Sequence, residues 1–275
     1  MNPGPSRLAA TLAAYPTLLR VGFAEAIAYR AETIIWMLTN TMPLVNLALW
    51  SAVARGGAIG GYGARELTAY FLGTLVVRQL TSSWVLWEMQ QDVRMGKLSM
   101  RLLRPIHPLI AYSAENLSAL PLRAGLAVPV VGVVLAFAGT EKLAHDWRLW
   151  ALVPVTLLGA WLINFFANAL MGTLAFFIEQ SYSVFQLWLG AYFALSGYLF
   201  PLDFLAQRAP WAPSLLRHLP FYAMAGLPVE LMLGQRTVDE ALVLLARQWA
   251  WVAGMGLGAL WAWRTGIARY NAYGA

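Results

Sequence analysis

The sequence predicts an all-α polytopic membrane protein: six transmembrane helices, an N-terminal amphipathic interfacial helix, and an outer re-entrant helical pair between spans five and six. Three observations carry that expectation. Of 275 residues, 60% are hydrophobic and only 12% charged, with a mean hydropathy of +0.59, which is far from the composition of a soluble domain. Six segments of about 18 to 25 apolar residues recur, each long enough as helix to cross roughly 30 Å of hydrocarbon. The cations sit beside those segments, so the net charge of +6 and pI near 9.8 point to lipid headgroups and topology, with no nucleic-acid partner. The chain, 1–275, is expected to form a single transmembrane domain.

Residues 1–30 come first. Leu8, Leu12, Tyr15, Leu19, Phe23 and Ile27 recur every three or four positions while Arg7, Arg20 and Glu25 lie off that stripe, an amphipathic pattern. Such a helix either lies in the membrane interface or packs on the bundle. The apolar run 8–19 is short, contains Pro16 and lacks a small-residue cleavage site, so it is expected to stay in the mature chain. Span one is placed at 32–53, followed by a glycine-rich outer turn at 55–65. Span two, 66–87, contains Arg78, nine residues from Trp87 and so about 14 Å from the span's inner end. A cation near the bilayer midplane is expected to face protein or a cavity, as a structural ion pair or as part of a pathway.

Residues 88–108 are the most informative stretch. Arg94, Lys97, Arg101 and Arg104 fall within eleven residues between two membrane-length segments, which marks the cytoplasmic side. Gly96 reads as a helix stop, Leu98, Leu102 and Leu103 give one apolar face, and Pro105 and Pro108 end the helix. The pattern fits a short interfacial helix, or a solvated basic loop that only obeys the positive-inside bias.

Span three, 115–137, carries Glu115 and Arg123 at and just inside its cytoplasmic end, where Arg123 is within snorkelling reach of the interface. A charge-balanced outer loop, 139–148, leads to span four, 149–178. There Asn164 and Asn168 share a face four residues apart, as interhelical glue or as substrate contacts. Span five is placed at 182–200. In 201–240 the prolines Pro210, Pro213, Pro220 and Pro228 cut the chain into apolar pieces too short to cross, such as 221–233, about 20 Å as helix. A re-entrant or interfacial pair is the better reading. Span six, 241–263, holds Gly254 and Gly258 at a spacing that permits close helix approach. Six crossings place both termini in the cytoplasm, and the excess of inner over outer cations agrees with that orientation.

Several chemistries lack their residues. The chain has no cysteine, and His107, His145 and His218 do not form metal-ligand spacing, so no metal site is expected. The Gly96-Lys97 pair fails the phosphate-loop pattern, with Gln91 where its first glycine belongs and Leu98 where Ser or Thr should follow. No catalytic residue and no cofactor are assigned to this chain.

The run DVRMGKLSMRLLRPIHPL at 92–109 resembles the loop between spans two and three of ABC-2 type permeases, the membrane subunits of ATP-binding-cassette exporters, and in particular the six-span bacterial group. Tyr29-Arg30, LAFFIE at 174–179, SGYLFPLD at 196–203, Pro220-Phe221 opening 219–234, and RTGIARYNAYG at 264–274 are similar as well, in the same order. The resemblance implies a non-enzymatic permease subunit in a bacterial plasma (inner) membrane. It further implies a translocation pathway between this chain and an identical or related second permease, with ATP and Mg bound by separate cytoplasmic ATPase subunits. By position and charge, Asp92, Arg94, Gly96, Lys97, Leu98, Arg101 and Arg104 are candidates for ATPase docking. Arg78, Glu115, Arg123, Asn164 and Asn168 are candidates for the pathway or for polar packing within the membrane. The resemblance makes Pro201, Asp203, Pro220, Phe221 and Pro228 candidates for an outer re-entrant gate. A proton-coupled secondary transporter using Arg78, Glu115 and Glu179 is the alternative, although no internal repeat supports it.

Overall fold

A computed structural model describes residues 7–39, 41–178 and 181–270 of the chain. Among them the secondary structure is helical, with only an isolated bridge between Ile59 and Tyr62. The architecture is that of an all-α polytopic membrane protein. By length and composition, three helical stretches suffice to cross a bilayer: Pro108–Ala136, Trp147–Phe176 and Val238–Ile267. The other expected spans are built from shorter helices, and local chemistry explains several of the interruptions.

α1 (Arg7–Ala28) lies along α7 (Pro108–Ser118). Gly22 allows the approach: a Cβ there would come within 2.5 Å of the Ser118 hydroxyl. The packed side of α1 includes Tyr15 and Gly22, whereas Phe23 and Ile27 are exposed, so the far end of the expected apolar stripe is not the buried face. Span one divides into α2 (Arg30–Thr39) and α3 (Met42–Ala54), with a proline in the first turn of α3, where the missing N–H costs nothing. α3 packs on α4 (Ala64–Thr81).

Span two does not run unbroken to Trp87. It stops at Thr81, crosses an extended Ser82 (φ −64°, ψ 143°) and resumes as α5 (Val85–Arg94). Gly96, at φ +70°, turns the chain into α6 (Leu98–Leu102), a left-handed conformation that favours glycine. α7 and α8 (Leu120–Ala138) meet at Ala119, with a proline starting α8. Span three therefore begins as two helices, and Glu115 belongs to the first.

α9 (Trp147–Thr173) and α14 (Val238–Ile267) pack together at the centre of the bundle. Their close approach does not use the Gly254/Gly258 spacing. It is Gly256 that faces Phe166, where an added Cβ would come within 3.1 Å, whereas Gly254 meets nothing within 4 Å.

α10 (Ser181–Leu195) ends before the expected limit of span five and gives way to turns at 196–200. A 3-10 helix (Leu202–Gln207), α11 (Ala212–Leu216), α12 (Pro220–Met224) and α13 (Gly226–Met232) follow. α12 and α13 are too short to cross, and they sit buried against α4, α9, α10 and α14.

Ending α10 early exposes carbonyls that would be costly to leave unmet in a membrane. Three donors from neighbouring helices meet them. Tyr70 donates to Gly197 O (2.7 Å), Asn46 to Tyr198 O (3.2 Å) and the Trp50 indole to Leu199 O (2.8 Å). α3 and α4 thereby fix where α10 stops.

Candidate functional site

The expected docking residues separate into two groups. Asp92, Leu98 and Arg101 turn inward. The Arg101 guanidinium is ion-paired to Asp92 and, at 2.7 Å, to Glu115. It also stands 4.4 Å above the Tyr112 ring, whose hydroxyl donates to Asp92 at 2.7 Å. Burial works against the charge on Arg101, but Glu115, Tyr112 and Asp92 outweigh it and hold the guanidinium more firmly protonated than an ordinary arginine. One cation therefore ties α5, α6 and α7 together.

Arg94, Lys97 and Arg104 are exposed at the same tip, interleaved with Met95 (62% exposed), Met100 (67%) and Leu103 (80%). Large apolar side chains presented this openly among cations suit contact with another surface. Behind them His107 caps α7, its Nδ1 accepting from Leu109 N at 3.2 Å. Burial and then the Arg264 charge lower its proton affinity, which keeps that nitrogen available as an acceptor.

The expected polar residues within the bundle each make a contact, while the Asn168 Oδ1 is buried without a hydrogen-bond partner. Arg78 lies 5.5 Å from the Tyr192 ring centre and 5.9 Å from that of Tyr198, which joins α4 to the end of α10 by cation–π contact. Arg123 does not snorkel. It is 7% exposed and donates to Ser82 O at 2.9 Å, capping the break in span two. Asn164 and Asn168, expected as interhelical glue or as substrate contacts, donate to Ala160 O (3.2 Å) and Asn164 O (2.9 Å) of their own helix. An i−4 carbonyl is the nearest acceptor for a short buried amide. Glu179 lies outside the described residues.

A second charged cluster holds the opposite end. Asp203 accepts from Arg217 at 2.7 Å. Glu230, buried on α13, receives Arg236 at 2.6 Å, the Tyr222 hydroxyl at 2.7 Å and Arg217 at 3.4 Å. The Tyr62 hydroxyl is within 3.3 Å of both Asp203 and Gln235. Pro201 precedes the 3-10 helix carrying Asp203, Pro220 starts α12, Phe221 packs on Trp188 at 4.6 Å, and Pro228 is buried within α13. Of this cluster, sequence reasoning singled out only Asp203. Glu230 inside an otherwise apolar piece was the available signal, since a lone acid there needs a cation.

Among the described residues no group of three His, Cys, Asp or Glu is placed to hold a metal. With the two ends described, the comparisons bear directly on them. No curated protein matches the sequence. The family model of the ABC-2 family transporter protein matches residues 38–274, a span that includes the α5–α6 tip, both arginines within the bundle and the Glu230 cluster. The chain belongs to the ABC-2 transporter family, as a membrane protein with a transport permease role.

Proposed function

We propose that the chain is the permease subunit of an ATP-binding-cassette exporter in a bacterial inner membrane, working as a dimer with an identical or related permease. ATP and Mg are held by separate cytoplasmic ATPase subunits, and both termini lie on the ATPase side. The carrying observation is the α5–α6 tip. Its exposed Arg94, Lys97 and Arg104 alternate with exposed Met95, Met100 and Leu103, while the Arg101 network behind them makes the tip stiff. A stiff basic and apolar knob can receive force from a docked partner. The family match and the excess of cations at this end support the same reading. In the proton-coupled alternative Glu115 would have to release Arg101 to carry protons, which argues against it.

The test is purification of the tagged chain in mild detergent, with mass and ATPase assays on what accompanies it. A stoichiometric ATPase, lost from R94E/K97E/R104E, is the expected result. Retention of the ATPase by that variant removes the docking assignment, and a lone chain that transports on a proton gradient favours the alternative.

A further inference from the structure

The break in span two is held by one cation, and a buried carboxyl acts on that cation. Ser82 is extended, and Arg123 of α8 places Nη1 at 2.9 Å from its carbonyl and 3.3 Å from its hydroxyl. Glu88 is in the first turn of α5, on the α6 side of the break. Its Oε2 is buried without a hydrogen-bond partner, as is the Ser83 hydroxyl oxygen within the break. The charges acting on Glu88 are Glu115 of α7, Arg101 of α6, Asp92 of α5 and Arg123 of α8, and Arg78 of α4 acts in turn on Arg123. A guanidinium bonded to a neutral carbonyl lies in the field of a carboxyl whose Oε2 has no hydrogen-bond partner, and charge-assisted hydrogen bonds are roughly twice as strong as neutral ones.

The two sides of the break share one packing partner and differ in the others. Both α4 and α5 pack on α9, but α4 otherwise packs on α3, α8 and α13, whereas α5 packs on α7, α6 and the 3-10 turn Leu174–Phe176. A change in the bond at Ser82 therefore changes how the α6 tip is carried relative to α4.

We propose that Arg123 is a positioning residue for this break and exchanges the Ser82 carbonyl for the Glu88 carboxylate as α5 changes its angle to α4. With Glu88 protonated, Arg123 stays on the carbonyl. With Glu88 ionised, the guanidinium moves to the carboxylate, the carbonyl is released, and the α4–α5 angle relaxes. Burial pushes the Glu88 carboxyl up to about 7; Glu115 and Asp92 reinforce this while Arg101 and Arg123 oppose it. Both states are therefore accessible near neutral pH. That a docked ATPase drives the exchange rests on the docking reading above, whereas the exchange itself belongs to this chain alone.

The test accordingly uses the full chain without any ATPase, so that its failure is separate from failure of the docking assignment. Because the chain has no cysteine, spin labels can be placed at Thr68→Cys on α4 and Met95→Cys beyond α5, roughly 40 Å apart along the helices. Pulsed distance measurements in nanodiscs from pH 5.5 to 8.5 should show one distance at low pH and a second population growing in at higher pH. E88Q should hold the single distance throughout, and R123K should keep the exchange that R123Q loses. A second population that persists in E88Q overturns the proposal, and so does one unchanged distance across the pH range in the parent chain. Should R123Q fail to fold, E88Q and R123K still decide.

Discussion

The two ends of the bundle solve the same electrostatic problem around centres of opposite sign. At the α6 tip one arginine, Arg101, serves two carboxylates, Asp92 and Glu115. At the other end one carboxylate, Glu230, serves two arginines, Arg217 and Arg236, of which Arg217 is shared with Asp203. The difference in burial decides what each can do. Glu230 is nearly sealed, so its network fastens α13 to the segments before α12 and α14, and any loosening strands charge in a poor solvent. Arg101 is partly open, with exposed Met100, Leu103 and Arg104 around it, so its network can brace a surface that is itself free to touch a partner.

Removing the central group at each end should break that comparison in order of burial. E230Q leaves Arg217 and Arg236 without their shared anion, and losing one member of a buried ion pair costs about 3–5 kcal/mol. We expect a large fall in the thermal midpoint in detergent, with the re-entrant segment becoming open to proteolysis. R101A removes bonds to two carboxylates and the contact with the Tyr112 ring, about 2 kcal/mol for a partly exposed charged network. Its midpoint should fall less, and R101K should recover only part, because a lysine cannot span both carboxylates as the planar fork does.

Smaller effects sharpen the contrast. The Glu88 carboxyl is raised from 4.5 to about 7 by burial first, so the folded state holds a proton that the unfolded state releases. Stability from this group is therefore full at low pH and is lost as pH rises from about 4.5 to about 7. Denaturation midpoints across that window should decline in the parent chain and flatten in E88Q. R94E/K97E/R104E should leave thermal stability nearly unchanged, since exposed charges contribute little to it, while abolishing ATPase retention. Smallest of all, R65A opens the exposed Arg65–Glu141 pair and should shift stability by less than about 1 kcal/mol.

How much of this was legible in the sequence differs between the ends. The α6 tip could be read because its signals are local: four cations, a glycine stop and two prolines lie within a few turns. Even there, the exposed Arg94, Lys97 and Arg104 could not be told from the inward Arg101, because that depends on Glu115 returning from α7. The Glu230 cluster draws on residues from 62 to 236, and nothing in local spacing links them. Asn164 and Asn168 show the opposite limit of local spacing. Their shared face was visible, yet the nearest acceptors lie on their own helix.

By itself the sequence determined the class of the molecule. An apolar, charge-poor chain with cations gathered beside membrane-length segments has to fold as membrane helices, since the solvent dictates it. It also shows a chain without cysteine. Only the tertiary structure decided where the spans break. Whether a helix stops at Thr81 or Leu195 depends on whether a distant donor, Arg123 for Ser82 or Tyr70, Asn46 and Trp50 for 197–199, meets the freed carbonyls. In hydrocarbon a helix can end only where such a partner stands, and that partner belongs to another helix.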